Sequence, residues 1–232
     1  MGNGNGSPQA ARSTDGGRTW SIDSAAQAGP SGGKVAYSAD ADVVLWSTSS
    51  SGVLRSQQSK SYSAISSLPS GAIIASDKRN NTVFYGGSAG SFYRSLDSAA
   101  TFSQIGSLGA ATEVRDIVVN PVLAGDVWVS TNKGLFHSTN YGLNFSQPST
   151  VLTNTQQIDL GKGNGSYWNI YAFGVGPAGP KLYSSVDSGA TWSDVQGSQS
   201  FGAISSTVLA ASKDTLGLVF VGTNGRGVFF SS

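Results

Sequence analysis

The feature that most constrains the fold is an eight-residue segment that recurs along the chain at intervals of 39 to 47 residues. Its full copies begin at Ser13, Ser95, Ser138 and Ser185, and each runs from a serine through an aspartate or asparagine to an aromatic residue. A copy that is one residue shorter begins at Ser56. Repeats of about 40–45 residues are typical of β-propellers, in which each repeat forms one four-stranded blade. The spacing therefore predicts an all-β fold of antiparallel blades.

The residue types of this segment suit a tight turn between two strands. A short acidic or amide side chain accepts hydrogen bonds from the turn, glycine supplies a positive φ, and the final aromatic residue can fold back onto a neighbouring sheet. The pattern Ser-x-Asp-x-Gly-x-Thr-Trp resembles the Asp-box, or BNR repeat, of sialidase-like propellers. The roles we predict for the box residues are structural, not catalytic: Asp15, Trp20, Asp97, Phe102, Asn140, Phe145, Asp187 and Trp192.

The apolar strand segments before each box set the expected number of blades. Trp46, Phe84, Trp128 and Val221 each lie six residues before a turn glycine, so we expect both tryptophans in the core. Residues 13–231 hold five repeats. We expect one domain, residues 1–232, with five blades, one of them a composite in which the N-terminal box strand joins the three C-terminal strands. The alternative is an arc cut from a larger propeller, with its edges covered by another chain.

Composition excludes several classes of function. The 14 basic and 13 acidic residues give a formal net charge of +1, which is no electrostatic footprint for nucleic acid or an anionic membrane. Cysteine is absent and His137 is the single histidine, which excludes disulfides, thiolate metal sites and a histidine-rich metal cluster. No metal and no cofactor is implied by the sequence. No apolar stretch is long enough to span a membrane, and residues 1–7 lack the basic and apolar regions of a signal peptide. The residues alone leave the localisation open.

Several segments resemble, in order along the chain, the xyloglucan-cleaving enzymes of glycoside hydrolase family 74, which are built from two seven-bladed propellers. The box alone identifies only a propeller, whereas the ordered set points to this family and covers essentially the whole chain. The resemblance is to the C-terminal part of these enzymes. It implies an extracellular, fungal-like protein that binds xyloglucan or a related β-glucan. The segments that carry it are residues 13–20, 71–77, 161–167, 183–192 and 219–228.

The catalytic residues of the family have no match in this sequence. The resemblance implies two catalytic aspartates, one from each propeller, the second in a Gly-Asp-x-Gly-Gly context ahead of the region matched here. No such motif occurs, because Asp15-Gly-Gly belongs to a box. Glu113 and Asp116 could serve as acid and base, although an ion pair with the intervening Arg115 is the more common arrangement. We assign no catalytic residue and expect no hydrolysis by this chain on its own.

The variable position of His137 predicts an exposed strand face. It lies beside a box, where other repeats have arginine, serine or phenylalanine. No serine or aspartate motif surrounds it, so nucleophilic catalysis has no support.

The longest repeat contains the candidate carbohydrate-binding residues. Sugar rings stack on aromatic side chains and bond to short amide and hydroxyl groups. Strand alternation would put Tyr167 and Asn169 on one face and Trp168 on the other, and one of these faces must be buried. We select Trp168, Tyr167 and Asn169, and favour Trp168 because other repeats have no aromatic residue there. The alternative is that Trp168 fills the wedge between two blades.

Three hypotheses about function follow. The first is a non-catalytic, lectin-like propeller derived from a xyloglucan or β-glucan hydrolase, with an oligo- or polysaccharide as its partner. The second is a part of a xyloglucan-specific hydrolase that is active only with the propeller it lacks. The third is a structural or engineered propeller without a ligand, which could form a homo-oligomer to cover its edges. The missing catalytic motif favours the first over the second.

Overall fold

The computed structural model describes residues 10–23, 32–58, 60–198, 201, 208–223 and 225–231. These residues form twenty β-strands, joined by turns and loops, and no helix. The segment 1–7, on which the signal-peptide argument rests, lies outside the described residues. The all-β prediction is therefore confirmed for the part of the chain that is described.

Three antiparallel sheets come from the first half of the chain. The first is a hairpin of β1 (Ala11–Arg12) and β2 (Ser21–Ile22). The second has four strands: β3 (Lys34–Tyr37), β4 (Val43–Ser47), β5 (Val53–Gln57) and β6 (Ser63–Ile65). The third also has four: β7 (Ile73–Ser76), β8 (Phe84–Ser88), β9 (Ser91–Ser95) and β10 (Ser103–Ile105).

Three further sheets come from the second half. A three-stranded sheet contains β11 (Val114–Val119), β12 (Val127–Thr131) and β13 (Gly134–Ser138). A four-stranded sheet contains β14 (Asn154–Gly161), β15 (Asn169–Gly176), β16 (Gly179–Ser185) and β17 (Ser193–Asp194). The last has three strands: β18 (Val208–Ala211), β19 (Val219–Gly222) and β20 (Val228–Ser231). Sequential strands pair in each sheet, which is the meander of a β-propeller blade and confirms the predicted fold class.

The predicted composite blade is not formed by the described strands. β1 pairs with β2 in a hairpin of its own, and the last sheet contains only β18, β19 and β20. The reason is that β1 and β20 occupy the same place in the repeat. β1 lies directly before the box serine Ser13, and β20 ends at Ser231, where a box would start. Both strands therefore correspond to the third strand of a repeat, the place directly before the box.

The described chain divides into two compact units, each with its own core. The first comprises residues 1–88, 93–105 and 121–124, and the second comprises 89–92, 106–120 and 125–232. In the first unit, Leu45 and Phe84 are fully buried in one apolar cluster. In the second, Trp128 and Ile158 are buried in a cluster formed by two successive sheets. Trp46 and Trp128, the two tryptophans predicted for the core, are both buried.

Candidate functional site

The full boxes form one kind of turn, held by bonds that stay inside the segment. In the first, the Ser13 hydroxyl donates to Asp15 Oδ1 at 2.8 Å and accepts from the Gly17 amide at 2.8 Å. The Asp15 carboxylate also accepts from the Thr19 amide at 2.9 Å and from the Thr19 hydroxyl at 2.6 Å. In the other three full boxes the acceptors are Asp97, Asn140 and Asp187. Each accepts a hydrogen bond from the serine hydroxyl of its box and from the backbone amide four residues further along the chain.

The shorter copy is bonded differently, in keeping with its lost aspartate. The Ser56 hydroxyl donates to the Lys60 carbonyl oxygen. Gln58, which stands where the aspartate would be, has a φ of 54°, in the left-handed region.

The box aromatics differ in how far they are covered. Phe102 is 7 % exposed within the core of the first unit, and Trp192 packs against the core cluster of the second. Phe145 makes an edge-to-face contact with Phe92, with ring centroids 4.8 Å apart. Trp20 does not follow the expectation, because it is 66 % exposed. It borders an open cavity of about 940 Å³ between its hairpin and the β3–β6 sheet.

Tyr167 and Trp168 lie in a loop and not in a strand, which overturns the alternation argument for them. β14 ends at Gly161 and β15 begins at Asn169, so both aromatic residues belong to the connecting loop 162–168. Asn169 opens β15 opposite Gly161. Both aromatic side chains are half-buried and pack against the same core cluster. The structure thus brings the three selected residues together at one end of the β14–β15 pair.

Tyr167 is tied into a group of polar and aromatic side chains that we call the Tyr167 cluster: Asp126, Trp128, His137 and Tyr167. The Tyr167 hydroxyl donates to the Asp126 carboxylate, 2.7 Å from Oδ1 and 2.9 Å from Oδ2. It accepts from Trp128 Nε1 at 2.9 Å. Since Asp126 precedes β12 and Trp128 lies in it, these bonds join loop 162–168 to the neighbouring sheet.

His137 completes the Tyr167 cluster, and its surroundings correct the expectation of an exposed position. Its side chain is 14 % exposed, and Nε2 lies 3.1 Å from Asp126 Oδ1. The ring stacks on the indole of Trp128, its direct partner across the β12–β13 ladder, with centroids 4.0 Å apart and an interplanar angle of 11°. A histidine at this position can therefore be buried when its ring stacks on an aromatic side chain and its Nε2 atom lies within hydrogen-bond distance of a buried carboxylate.

The surroundings of Tyr167 favour its protonated hydroxyl, which can therefore donate a hydrogen bond. Burial, together with the hydrogen bond and negative charge of Asp126, raises the pKa of Tyr167 well above its usual range. Asp126 in turn is almost fully enclosed, with a side chain 5 % exposed. The Asp126 carboxylate is thus bonded to Tyr167 and lies beside His137 within the cluster. Sequence reasoning missed Asp126, because Gly125-Asp126 reads as an ordinary turn.

The other candidate for acid–base chemistry is an ion pair. Arg115 Nη2 lies 2.8 Å from Glu113 Oε2, and Arg115 Nε donates to the same oxygen at 3.0 Å. Asp116 Oδ1 accepts from the Ile117 amide at 3.1 Å. The ion-pair interpretation of Glu113 and Arg115 is therefore confirmed.

Two classes of site are not found among the described residues. No group of three or more histidine, cysteine, aspartate or glutamate side chains is placed to hold a metal ion there. Across the same residues, no helix has the length and apolar character needed to cross a membrane.

Comparison with known proteins places this chain beside xyloglucanases. No family model matches it. It is 57 % identical over 231 residues to a xyloglucanase of Hypocrea jecorina (strain QM6a), an alignment that covers all of this chain and 28 % of that protein. It is 32 % identical over 232 residues to a xyloglucanase of a Paenibacillus species, covering 94 % of this chain and 22 % of that one. The chain thus spans about a quarter of the length of these curated relatives.

Solved structures agree with the fold. The structure of a GH74 xyloglucanase from Xanthomonas campestris superposes with a TM-score of 0.80 over 97 % of this chain and 33 % of that chain. The sequence identity in this superposition is 23 %, so it is the fold that this likeness shows.

Proposed function

We propose that this chain, a homologue along its whole length of part of the xyloglucanases of glycoside hydrolase family 74, serves as the C-terminal propeller portion of a xyloglucan-hydrolysing enzyme. The observation that carries the proposal is the 57 % identity to a xyloglucanase over the entire chain. Of the three hypotheses, this supports the part of a hydrolase better than a free-standing lectin-like propeller. The natural partner is then the remainder of the enzyme, and the substrate is a polysaccharide.

The role within that enzyme is to contact the polysaccharide without supplying the catalytic acids. Of the two carboxylates considered for catalysis, Glu113 is paired with Arg115, and Asp116 accepts from the Ile117 amide. Asp126, which sequence reasoning did not select, is bonded to Tyr167. The resemblance to the family likewise implies catalytic aspartates that have no counterpart in this sequence.

Within this role, loop 162–168 is the surface that meets the sugar, and Trp168 supplies the aromatic face. The residues 164–166 are exposed and comprise two hydrogen-bonding side chains, Asn164 and Ser166, around a glycine. Trp168 is half-buried against the core cluster, so that part of its ring remains accessible beside these side chains. An aromatic ring beside short polar groups is the usual composition of a carbohydrate site.

The test is electrophoresis of the full chain through native gels with and without xyloglucan. We expect xyloglucan to retard the wild-type chain. Trp168→Ala should abolish the retardation and still melt cooperatively, at a lowered melting temperature because part of the ring packs against the core cluster. Reducing-end release is measured in parallel and is expected to be absent. Migration of the wild-type chain that is unaffected by xyloglucan would overturn the proposed contact, as would undiminished retardation of a folded Trp168→Ala variant.

A further inference from the structure

We propose that Tyr167 is a positioning residue: its hydroxyl, held between Trp128 and Asp126, fixes loop 162–168 and thereby the orientation of Trp168. The three bonds of this hydroxyl reach 39 and 41 residues back along the chain, to the β11–β13 sheet. The loop it holds connects β14 and β15, two strands of eight residues each. The part of this inference that concerns sugar binding rests on the proposed function, whereas the part that concerns the loop does not.

The hydrogen bonds of the Tyr167 hydroxyl are strong because both partner side chains are buried and one of them carries a charge. Hydrogen bonds to an ionised group stabilise more than neutral ones, and a buried partner left without its bond is destabilising. Loss of the Tyr167 hydroxyl would deprive Trp128 Nε1 of its acceptor and the Asp126 carboxylate of a donor. The loop would then lose its attachment to the neighbouring sheet through this side chain.

The rest of the loop is arranged so that this attachment governs Trp168. At its start, the Lys162 amide donates to the Ser212 carbonyl at 2.8 Å. At its end, Trp168 follows Tyr167 directly, so the backbone that carries one ring also carries the other. Residues 164–166 between these attachments are exposed. A change at Tyr167 is therefore transmitted to Trp168 through one peptide unit.

Tyr183 provides a matched control in the same core cluster. It is buried, and its hydroxyl donates to the Gly179 carbonyl at 2.8 Å and accepts from the Ala178 amide at 3.2 Å. These partners belong to the β15–β16 hairpin, Ala178 to its turn and Gly179 to the start of β16, and not to loop 162–168. Tyr183→Phe thus removes a buried hydroxyl without touching the proposed hold.

The first test follows the loop itself. Lys162 is exposed, so trypsin cleavage of the Lys162–Gly163 bond, quantified by mass spectrometry under native conditions, reports how often the loop opens. We expect Tyr167→Phe to be cleaved there about tenfold faster than wild type or more, the factor that corresponds to one charge-assisted hydrogen bond. Tyr183→Phe should show no such acceleration. The Trp128 indole N–H resonance should shift in Tyr167→Phe and stay in place in Tyr183→Phe.

A second variant keeps the test decisive if Tyr167→Phe is too unstable to purify. Asp126→Asn retains an acceptor oxygen and removes the charge, and we expect an intermediate rate of cleavage at Lys162. Wild-type rates in the Tyr167 and Asp126 variants, with an unmoved indole resonance in Tyr167→Phe, would overturn the positioning role.

Xyloglucan affinity then separates this inference from the proposed function. With both correct, Trp168→Ala and Tyr167→Phe each weaken retardation in xyloglucan gels, and Tyr183→Phe does not. If Trp168→Ala leaves affinity unchanged, the sugar site is wrong, while the cleavage rates still decide the role of Tyr167 in the loop. If Trp168→Ala weakens binding and Tyr167→Phe does not, the positioning of Trp168 by Tyr167 is overturned.

Discussion

At the scale of single residues, the box aspartates show how a recurring carboxylate can be entirely structural. Asp15 and Asp187 each accept from a threonine amide and from the same threonine's hydroxyl, four residues on. These bonds, led by the side-chain bond to the threonine, lower the pKa of both carboxyls to about 2. The bonds favour the ionised form, so the folded chain holds these groups deprotonated at acidities where an unfolded chain would protonate them.

Acid therefore weakens the boxes within a defined range of pH. Because the folded pKa is below the unfolded one, each carboxyl contributes stability above pH 3.8, and this contribution is lost as the pH falls towards 2. We expect Asp187→Asn to melt below wild type at pH 5 and the gap to narrow at pH 2. The exposed Asp214→Asn is the control and should not differ from wild type at pH 5. A difference in melting temperature between Asp187→Asn and wild type that grows as the pH falls would show that the ionised Asp187 carboxylate does not stabilise its box.

The two box tryptophans give a second prediction at this scale. Both donate from Nε1 to a carbonyl three residues earlier, at 3.0 Å, but Trp192 packs on a core cluster and Trp20 is 66 % exposed. Trp192→Ala should lower the free energy of unfolding by about 3 kcal/mol, since the ring's packing is lost. Trp20→Ala should lower it by less than about 1 kcal/mol. Urea denaturation measures both, and equal losses would show that the shared motif, not the packing, sets the stability.

At the scale of strands and turns, sequence spacing predicted the elements well and their register less well. Trp46 and Trp128 both lie six residues before a turn glycine, yet they face opposite sides of their sheets. In both turns a threonine hydroxyl, that of Thr48 or Thr131, donates to the carbonyl oxygen of the turn glycine, so the two threonines are equivalent. Trp46 lies two residues before its threonine, whereas Trp128 lies three residues before its own. Because the first turn has one extra residue, the tryptophan six residues before its glycine lies on the other face of the sheet. Spacing alone cannot reveal this, because turn length is set by backbone conformation.

The candidate site illustrates the same limit. The sequence singles out Tyr167, Trp168 and Asn169, but it predicts a strand where residues 162–168 form a loop. The partners of Tyr167 lie about 40 residues away, so no local pattern could have predicted them. The prediction of an exposed His137 is wrong for the same reason, since its burial depends on Trp128 across the ladder and on Asp126.

Two glycines of loop 162–168 test its closure. A Cβ at Gly163 would lie 2.2 Å from the Tyr167 carbonyl oxygen, whereas a Cβ at Gly165 would meet nothing within 4 Å. Gly163→Ala should therefore force the loop open, with a lower melting temperature and faster trypsin cleavage at Lys162. Gly165→Ala should match wild type in both measurements. If the two variants behave alike, the close approach of residues 163 and 167 is not a feature of the folded chain.

At the scale of the whole molecule, the β3–β6 sheet has an apolar face that is exposed along β3 among the described residues, although Trp46 on the same face is buried. Val35 and Tyr37 are 52 % and 55 % exposed. In the β14–β17 sheet, Ile158 and Leu160 occupy the corresponding register and are 1 % and 0 % exposed. Exposed apolar faces of this kind mark surfaces that other protein covers. This accords with a chain that works as part of a larger enzyme.

The exposed face leads to a prediction about substitution at equivalent positions. Val35→Lys should change the free energy of unfolding by less than about 0.5 kcal/mol and should reduce the fluorescence of bound 8-anilinonaphthalene-1-sulfonate. Ile158→Lys should abolish cooperative melting, since it would bury an unpaired charge. Loss of folding in Val35→Lys would show that this face is covered in the chain as it stands.

The most direct measurement is xyloglucan hydrolysis by a chimera in which this chain replaces the matched segment of the Hypocrea jecorina xyloglucanase. We expect the chimera to fold and to release reducing ends from xyloglucan, and we expect Trp168→Ala in the chimera to lower this activity. The chain alone should release none. A chimera that melts cooperatively but is inactive on xyloglucan would disprove the proposed function, as would hydrolysis by this chain on its own.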